Sequence, residues 1–229
     1  MTDRTDAAIL RASGVARSFG TTEALRGVEV DVSPGEIVAV MGPSGSGKST
    51  LLHCLAGILR PDRGQVWFDG ARIDSLSERE RTELRRERFG FVFQFGQLVP
   101  ELSAVENVAL PLMLGGVSRA RATALANEWL GRLRLGSLAA RRPGEISGGE
   151  AQRVALARAM VAEPDVVFAD EPTGSLDSLA GELVMDLLVD SVRDAGTTVV
   201  LVTHEPRVAA YADREIVVRD GRTATPVSL

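Results

Sequence analysis

The chain has 229 residues, enough for one or two domains. Its 45% hydrophobic and 25% charged content is that of an ordinary globular protein. A formal net charge of −5 argues against a general nucleic-acid binder, and a single cysteine provides neither a disulfide framework nor a cysteine-based metal site and suits a reducing compartment.

In chain order, Met1-Thr2-Asp3-Arg4-Thr5-Asp6 is polar and lacks a signal-peptide core. Val28, Val30 and Val32 alternate with Glu29 and Asp31, as in a half-buried strand. Pro34-Gly35 is a turn signal. The continuous apolar run Ile37-Val38-Ala39-Val40-Met41 reads as a strand covered on both faces. It leads into Gly42-Pro43-Ser44-Gly45-Ser46-Gly47-Lys48-Ser49, a match to the P-loop pattern. Lys48 is the one lysine among 26 basic residues; every other cation is arginine. A cradle lined by closely approaching backbone has room for a compact ammonium but not for a wide planar fork.

The pattern predicts a nest of N–H groups around a triphosphate. Lys48 would reach the β- and γ-phosphates and Ser49 would hold magnesium, while Thr50 continues into a helix whose N-terminus favours the anion. Residues 49–59 read as that helix, closed by Arg60-Pro61. Cys54 on it reads as a buried structural thiol.

Further on, residues 66–73 read as a hairpin around an Asp69-Gly70 turn. Residues 77–88 alternate arginine with glutamate, a solvated helix face rather than a basic stripe. The apolar stretch 95–114 suits a lobe core or a groove for a partner's helix. Residues 118–133 read as an amphipathic helix with Leu125, Trp129 and Leu133 on one face. Ser147-Gly148-Gly149-Glu150 precedes a helix carrying Val154, Ala157 and Val161. It is a capping box in one reading and a second anion site in another. One chain does not need two such sites for one nucleotide, but two facing chains could share them. No stretch is long and apolar enough to span a bilayer.

Four apolar runs end in polar chemistry: Lys48 after the first, Gln94 after Phe91-Val92-Phe93, Asp170-Glu171 after residues 166–169, and His204 after residues 198–203. In open α/β sheets ligands bind outside the carboxyl ends of strands. Singly each residue has a plain alternative: a loop glutamine, a turn-capping aspartate, a core histidine. Together, beside a P-loop, they form a constellation.

These motifs, in this order, resemble the ATP-binding subunits of ABC transporters over nearly the whole chain. The resemblance rests on the P-loop, Gln94 of the Q-loop, the signature Ser147-Gly148-Gly149-Glu150, the Walker B Asp170, Glu171, the D-loop Ser175-Leu176-Asp177 and the switch His204. Phe19 matches the aromatic that stacks on adenine, where the alternative is a core aromatic. Phe93-Gln94, Leu98-Val99-Pro100, residues 106–112 and Glu150 look like the MacB/LolD/FtsE-like branch, although Ser175 departs from its more usual asparagine.

The resemblance implies an α/β P-loop NTPase of the ABC ATPase fold, with a RecA-like core and antiparallel β lobe (residues 1–94 and 163–229) and a helical lobe (residues 95–162). It implies an ATPase that dimerises head to tail with a second copy. ATP and Mg2+ are the expected cofactors, with the metal held by Ser49, Gln94 and Asp170, and Glu171 as general base. Lys48, Gln94 and His204 would join Glu171 in catalysis, Lys48 at the β- and γ-phosphates, Gln94 at the metal and His204 sensing or stabilising the γ-phosphate; Phe19, the P-loop residues through Thr50, the opposing signature and Asp177 would hold the nucleotide. The partners would be integral membrane permease subunits, with neither nucleic acid nor lipid bound directly. The chain would be peripheral on the cytoplasmic face and would drive efflux or lipoprotein or peptide export. Mechanical signalling through a membrane partner is the alternative, and a soluble DNA- or ribosome-associated ATPase a remoter one.

Overall fold

The structure is a computed structural model that describes residues 8–224, so the polar N-terminal segment lies outside the described residues. In chain order it begins with β1 (Leu10–Phe19), β2 (Thr22–Val32), β3 (Ile37–Met41), α1 (Lys48–Leu55), β4 (Arg63–Phe68), β5 (Ala71–Arg72) and α2 (Glu78–Arg88). Then come β6 (Phe89–Phe93), α3 (Ala104–Leu114), α4 (Arg119–Arg132), α5 (Gly148–Met160), β7 (Val166–Asp170) and α6 (Ser178–Ala195). The chain closes with β8 (Thr198–Val202), α7 (Pro206–Ala209), β9 (Arg214–Arg219) and β10 (Arg222–Ala224). Two compact units divide it, one of residues up to 85 together with those from 198 onward, the other of residues 86–197.

The first unit carries an antiparallel sheet in the order β2-β1-β4-β5. In β2 the side chains of Val28, Val30 and Val32 are buried and those between them exposed, the alternation of a strand with one wet face. Strands β4 and β5 turn through Asp69 and Gly70, both with positive φ, as the Asp-Gly signal requires. The same unit holds a run β10-β9-β3-β8, in which β3 lies parallel to both β9 and β8. Ile37, Val38, Ala39 and Val40 are all buried, matching a strand covered on both faces.

Helix α1 stops at Leu55, four residues short of the reading from sequence. Gly57 adopts the left-handed conformation (φ +63°). Its N–H donates to the Cys54 carbonyl while Ile58 N–H donates to that of His53. This pair of bonds ends a helix at glycine before any proline can act. The arginine–glutamate helix α2 also departs from the expectation, because Arg81 is buried. Its methylene stem lies beside Gly57 and Ile73 and its guanidinium pairs with Glu78. A long cationic stem covers apolar surface well, so an arginine on a charged helix need not be solvated.

In the second unit β6 and β7 pair in parallel. Phe89 meets Phe168 edge-on at 5.1 Å, and Phe91 stacks on Phe168 at 5.7 Å and on Phe93 at 5.9 Å. Helix α5 packs on β6. A Cβ on Gly90 would stand 2.5 Å from the Ala159 carbonyl oxygen, so the close approach of helix and strand needs a glycine there. Helices α3 and α4 pack together and against α5. The buried line of α4 is Ala122, Ala126 and Leu130, continued by Leu133 beyond its end; Leu125 and Trp129 sit half-buried at its edge. Small alanines allow the closer helix contact, and Trp129 instead lies under the Arg132 guanidinium at 4.8 Å.

Candidate nucleotide site

Strand β3 ends at Met41 and the chain turns into the P-loop. A Cβ on Gly42 (φ +149°) would collide with the Val218 carbonyl oxygen, and one on Gly47 (φ +104°) would stand 2.5 Å from that of Ala24. Backbone this close to neighbouring backbone leaves no space for side chains. Lys48 is 7% exposed and its ammonium donates to the carbonyls of Gly42 (2.8 Å) and Pro43 (3.0 Å). Both acceptors are neutral backbone oxygens. Gly47 caps α1 with no side-chain hydrogen bond, whereas α3, α4, α5 and α6 are each capped by a side chain. The Ser46 hydroxyl is buried without a hydrogen-bond partner. A cationic, uncapped helix start with an unsatisfied hydroxyl in its entry loop suits an anion.

Two more predicted residues lie in this unit. His204 lies two residues beyond the end of β8 and is exposed, which removes the core-histidine reading. Val40 and Val202 are register partners in β3 and β8, so the P-loop and His204 leave the sheet at the same edge. Phe19, at the tip of the β1–β2 hairpin, is 48% exposed and so is not a core aromatic. The Arg17 guanidinium covers one face of it at 5.1 Å.

The second unit holds the remaining predicted residues. Phe93 and Asp170 are register partners at the carboxyl ends of β6 and β7, so Gln94 and Glu171 emerge side by side. Glu171 has φ +48°, uncommon for a residue with a side chain. Ser147, Gly148, Gly149 and Glu150 line a cleft of about 260 Å3 together with Leu176 and Asp177. The capping box is present: Ser147 Oγ donates to Glu150 (2.8 Å) and accepts from its N–H (3.3 Å), and Glu150 accepts from Ser147 N–H (2.7 Å). These bonds from the Ser147 backbone and hydroxyl hold the Glu150 carboxyl below the usual carboxylate range. Gly148 and Gly149 stand outside the box. The capping-box reading is thus met in the structure, and the two glycines line the cleft. Asp177 has a structural task as well, capping α6 through Ala180 N–H at 2.9 Å.

Sequence reading missed the residues that hold the turn after β6. Gln152 donates to the Phe93 carbonyl (2.8 Å), and Arg158 spans the carbonyls of Gly96 (2.6 Å) and Gln97 (2.7 Å). Ser175 Oγ donates to the Gln94 carbonyl (2.7 Å). Their acceptors are bare backbone, so no pairing of residue types announces them. The stretch 95–114 likewise divides: Phe95 and Leu114 are exposed, while Ala104, Val108 and Ala109 are buried.

A glycine-cradled lysine at the end of one parallel strand and an acidic pair at the end of another apolar strand are the marks of a P-loop nucleoside triphosphatase. The family model described as ABC transporter matches residues 25–174, and the chain belongs to the ABC transporter family as an ATP-binding, ATP-hydrolysing subunit. It is 46% identical over 217 residues to the lipoprotein-releasing system ATP-binding protein LolD of Paramagnetospirillum magneticum, covering 93% of this chain and 96% of that one. With LolD of Aquifex aeolicus the identity is 42%, covering 97% and 99%. Among solved structures, a dimeric bacterial ABC transporter cassette is 39% identical with a TM-score of 0.87, covering 94% of this chain and 97% of that one. A post-hydrolysis dimer of an ATP-binding cassette bound to ADP and Pi matches equally well, with a TM-score of 0.86 over the same shares.

Proposed function

We propose that this chain is the ATPase subunit of a membrane export system of the lipoprotein-releasing kind, working as a head-to-tail pair of copies. It would sit on the cytoplasmic face of the membrane through a permease; no helix among the described residues is long and apolar enough to cross a bilayer. The observation that carries this reading is that two separate helix starts suit one kind of ligand. One is the uncapped start of α1 beside Lys48; the other is the glycine-flanked start of α5 over its cleft. A single chain needs only the first for one nucleotide, and the second serves the nucleotide of a facing copy.

In this reading the Lys48 ammonium leaves the carbonyls of Gly42 and Pro43 for the phosphates, and the N–H groups of the loop close around them. Phe19 offers its uncovered face to the base. No group of three or more His, Cys, Asp or Glu side chains suited to a metal occurs among the described residues. That fits a magnesium ion carried mainly by phosphate oxygens and held by few protein oxygens. Ser49, Gln94 and Asp170 would supply those, and the ion would neutralise developing phosphate charge. Glu171 accepts the proton of the attacking water, and His204 stabilises the γ-phosphate. Catalysis is then a matter of positioning and fixed charge.

Mixing two inactive variants tests the pairing. Ser147→Arg blocks the cleft and Lys48→Ala empties the P-loop, so neither homodimer should hydrolyse ATP. Mixed dimers contain one intact P-loop facing one intact signature, and hydrolysis should return. Mixtures that stay inactive while both variants still fold and associate would rule out the head-to-tail arrangement.

A further inference from the structure

The turn after β6 is held unusually completely. The carbonyls of Phe93, Gln94, Gly96 and Gln97 each accept a side-chain hydrogen bond within the same unit. Three of the four bonds come from α5, whose N-terminus carries the signature. Burial presses the Arg158 guanidinium below its usual range, yet both its arms stay on the turn. The turn is therefore tied to the signature helix by three hydrogen bonds. The fourth bond differs in origin, because Ser175 belongs to the loop before α6 and itself lines the signature cleft together with the next residues, Leu176 and Asp177. Gly174 also lies under the Gln94 amide, where even a Cβ would stand 3.0 Å from Nε2.

We propose that Ser175 is a positioning residue for Gln94, and that its hydroxyl transmits the state of the cleft to the catalytic glutamine. When a facing copy fills the cleft, Leu176 and Asp177 shift, Ser175 moves with them, and the Gln94 carbonyl follows. The hydrogen bond is thus the link by which occupation of one face of the unit sets the aim of the amide at the end of β6. Alanine at this position could not make the link, because it has no donor. Ser175 is exposed and packs into no core, so its hydroxyl has no burial to support. The inference rests on the role given to Gln94 under the proposed function.

The test is steady-state ATP hydrolysis by the purified chain as it assembles, with Mg-ATP varied. Ser175→Ala should lower kcat roughly fivefold, the scale of one neutral hydrogen bond, with KM nearly unchanged and the melting temperature held. Ser175→Thr keeps a hydroxyl and should restore kcat. In a Gln94→Ala background, Ser175→Ala should have little further effect, since the group it positions is gone. Full kcat in Ser175→Ala, or an equal loss in the Gln94→Ala background, overturns the link while leaving the role of Gln94 intact. Wild-type turnover in Gln94→Ala alone would remove that role, and the inference with it.

Discussion

Asn107 is fully buried on α3, and its side chain organises the loop before that helix. Its Oδ1 accepts from Val99 N–H at 2.7 Å, and its Nδ2 donates to the carbonyls of Val99, Leu102 and Ser103, each at 3.1 Å. The carbonyls of Val99 and Ser103 have second partners, Leu102 N–H and Asn107 N–H. In Asn107→Ala, Val99 N–H and the Leu102 carbonyl therefore bear most of the loss. An unmet donor and two or three weaker bonds in a half-buried loop come to about 2–3 kcal/mol. For a protein of this size that lowers the melting temperature by roughly 5–10 °C. Asn107→Asp separates packing from hydrogen bonding, since it keeps the shape and the Val99 bond. It places a second carboxylate oxygen against three carbonyls, which favours the protonated acid. The folded-state pKa of the new carboxyl is then raised, so stability falls as pH rises from the ordinary carboxylate value through the raised one. Thermal melts of both variants from pH 4 to 8 read this directly. A melting point of Asn107→Ala within about a degree of wild type, or a pH-independent deficit in Asn107→Asp, would refute the reasoning.

Glu171→Gln should bind ATP and scarcely hydrolyse it, because the amide accepts no proton from water; size-exclusion chromatography with ATP should then show a stabilised dimer, and near-wild-type turnover would take Glu171 out of the role of base. Lys48 is the only side-chain amine, so brief amine labelling followed by peptide mass spectrometry has a simple readout. Saturating Mg-ATP should protect Lys48 and leave the N-terminus unchanged, and equal modification with and without nucleotide would move the triphosphate elsewhere. Burial pushes the Cys54 thiol up to about 12, so iodoacetamide should leave the native protein unmodified near neutral pH and label it once denaturant is added. Burial also works to raise the Glu36 carboxyl, but hydrogen bonds from Arg214 and from Ser33 N–H outweigh it and hold the pKa below its ordinary 4.5. A depressed folded-state pKa gives stability that is present above the ordinary value and lost as pH falls through the folded one. Glu36→Gln should therefore melt lower than wild type at pH 7, with the gap closing on acidification, and a gap that persists at low pH would assign the effect to packing instead.

What could be read without coordinates was whatever a few consecutive residues decide among themselves. The P-loop is one, because glycines at set spacings and a following lysine shape a local nest. The Asp69-Gly70 hairpin, the Ser147–Glu150 capping box and the alternation of β2 are others, each a rule of near neighbours. So is the delivery of Gln94, Asp170, Glu171 and His204 to strand ends, since apolar runs mark where strands stop. Only the tertiary structure decided which face of α4 is buried, because Ala122 and Ala126 win by letting α3 come close, not by hydrophobicity. It alone put Arg81 inside and ended α1 at Gly57. It alone showed what holds Gln94. Gln152 acts across 59 residues, Arg158 across 61 and Ser175 across 81, each on a backbone carbonyl. Every residue carries such an acceptor, so the sequence holds no complementary mark; the partner is chosen by distance and angle once the chain is folded.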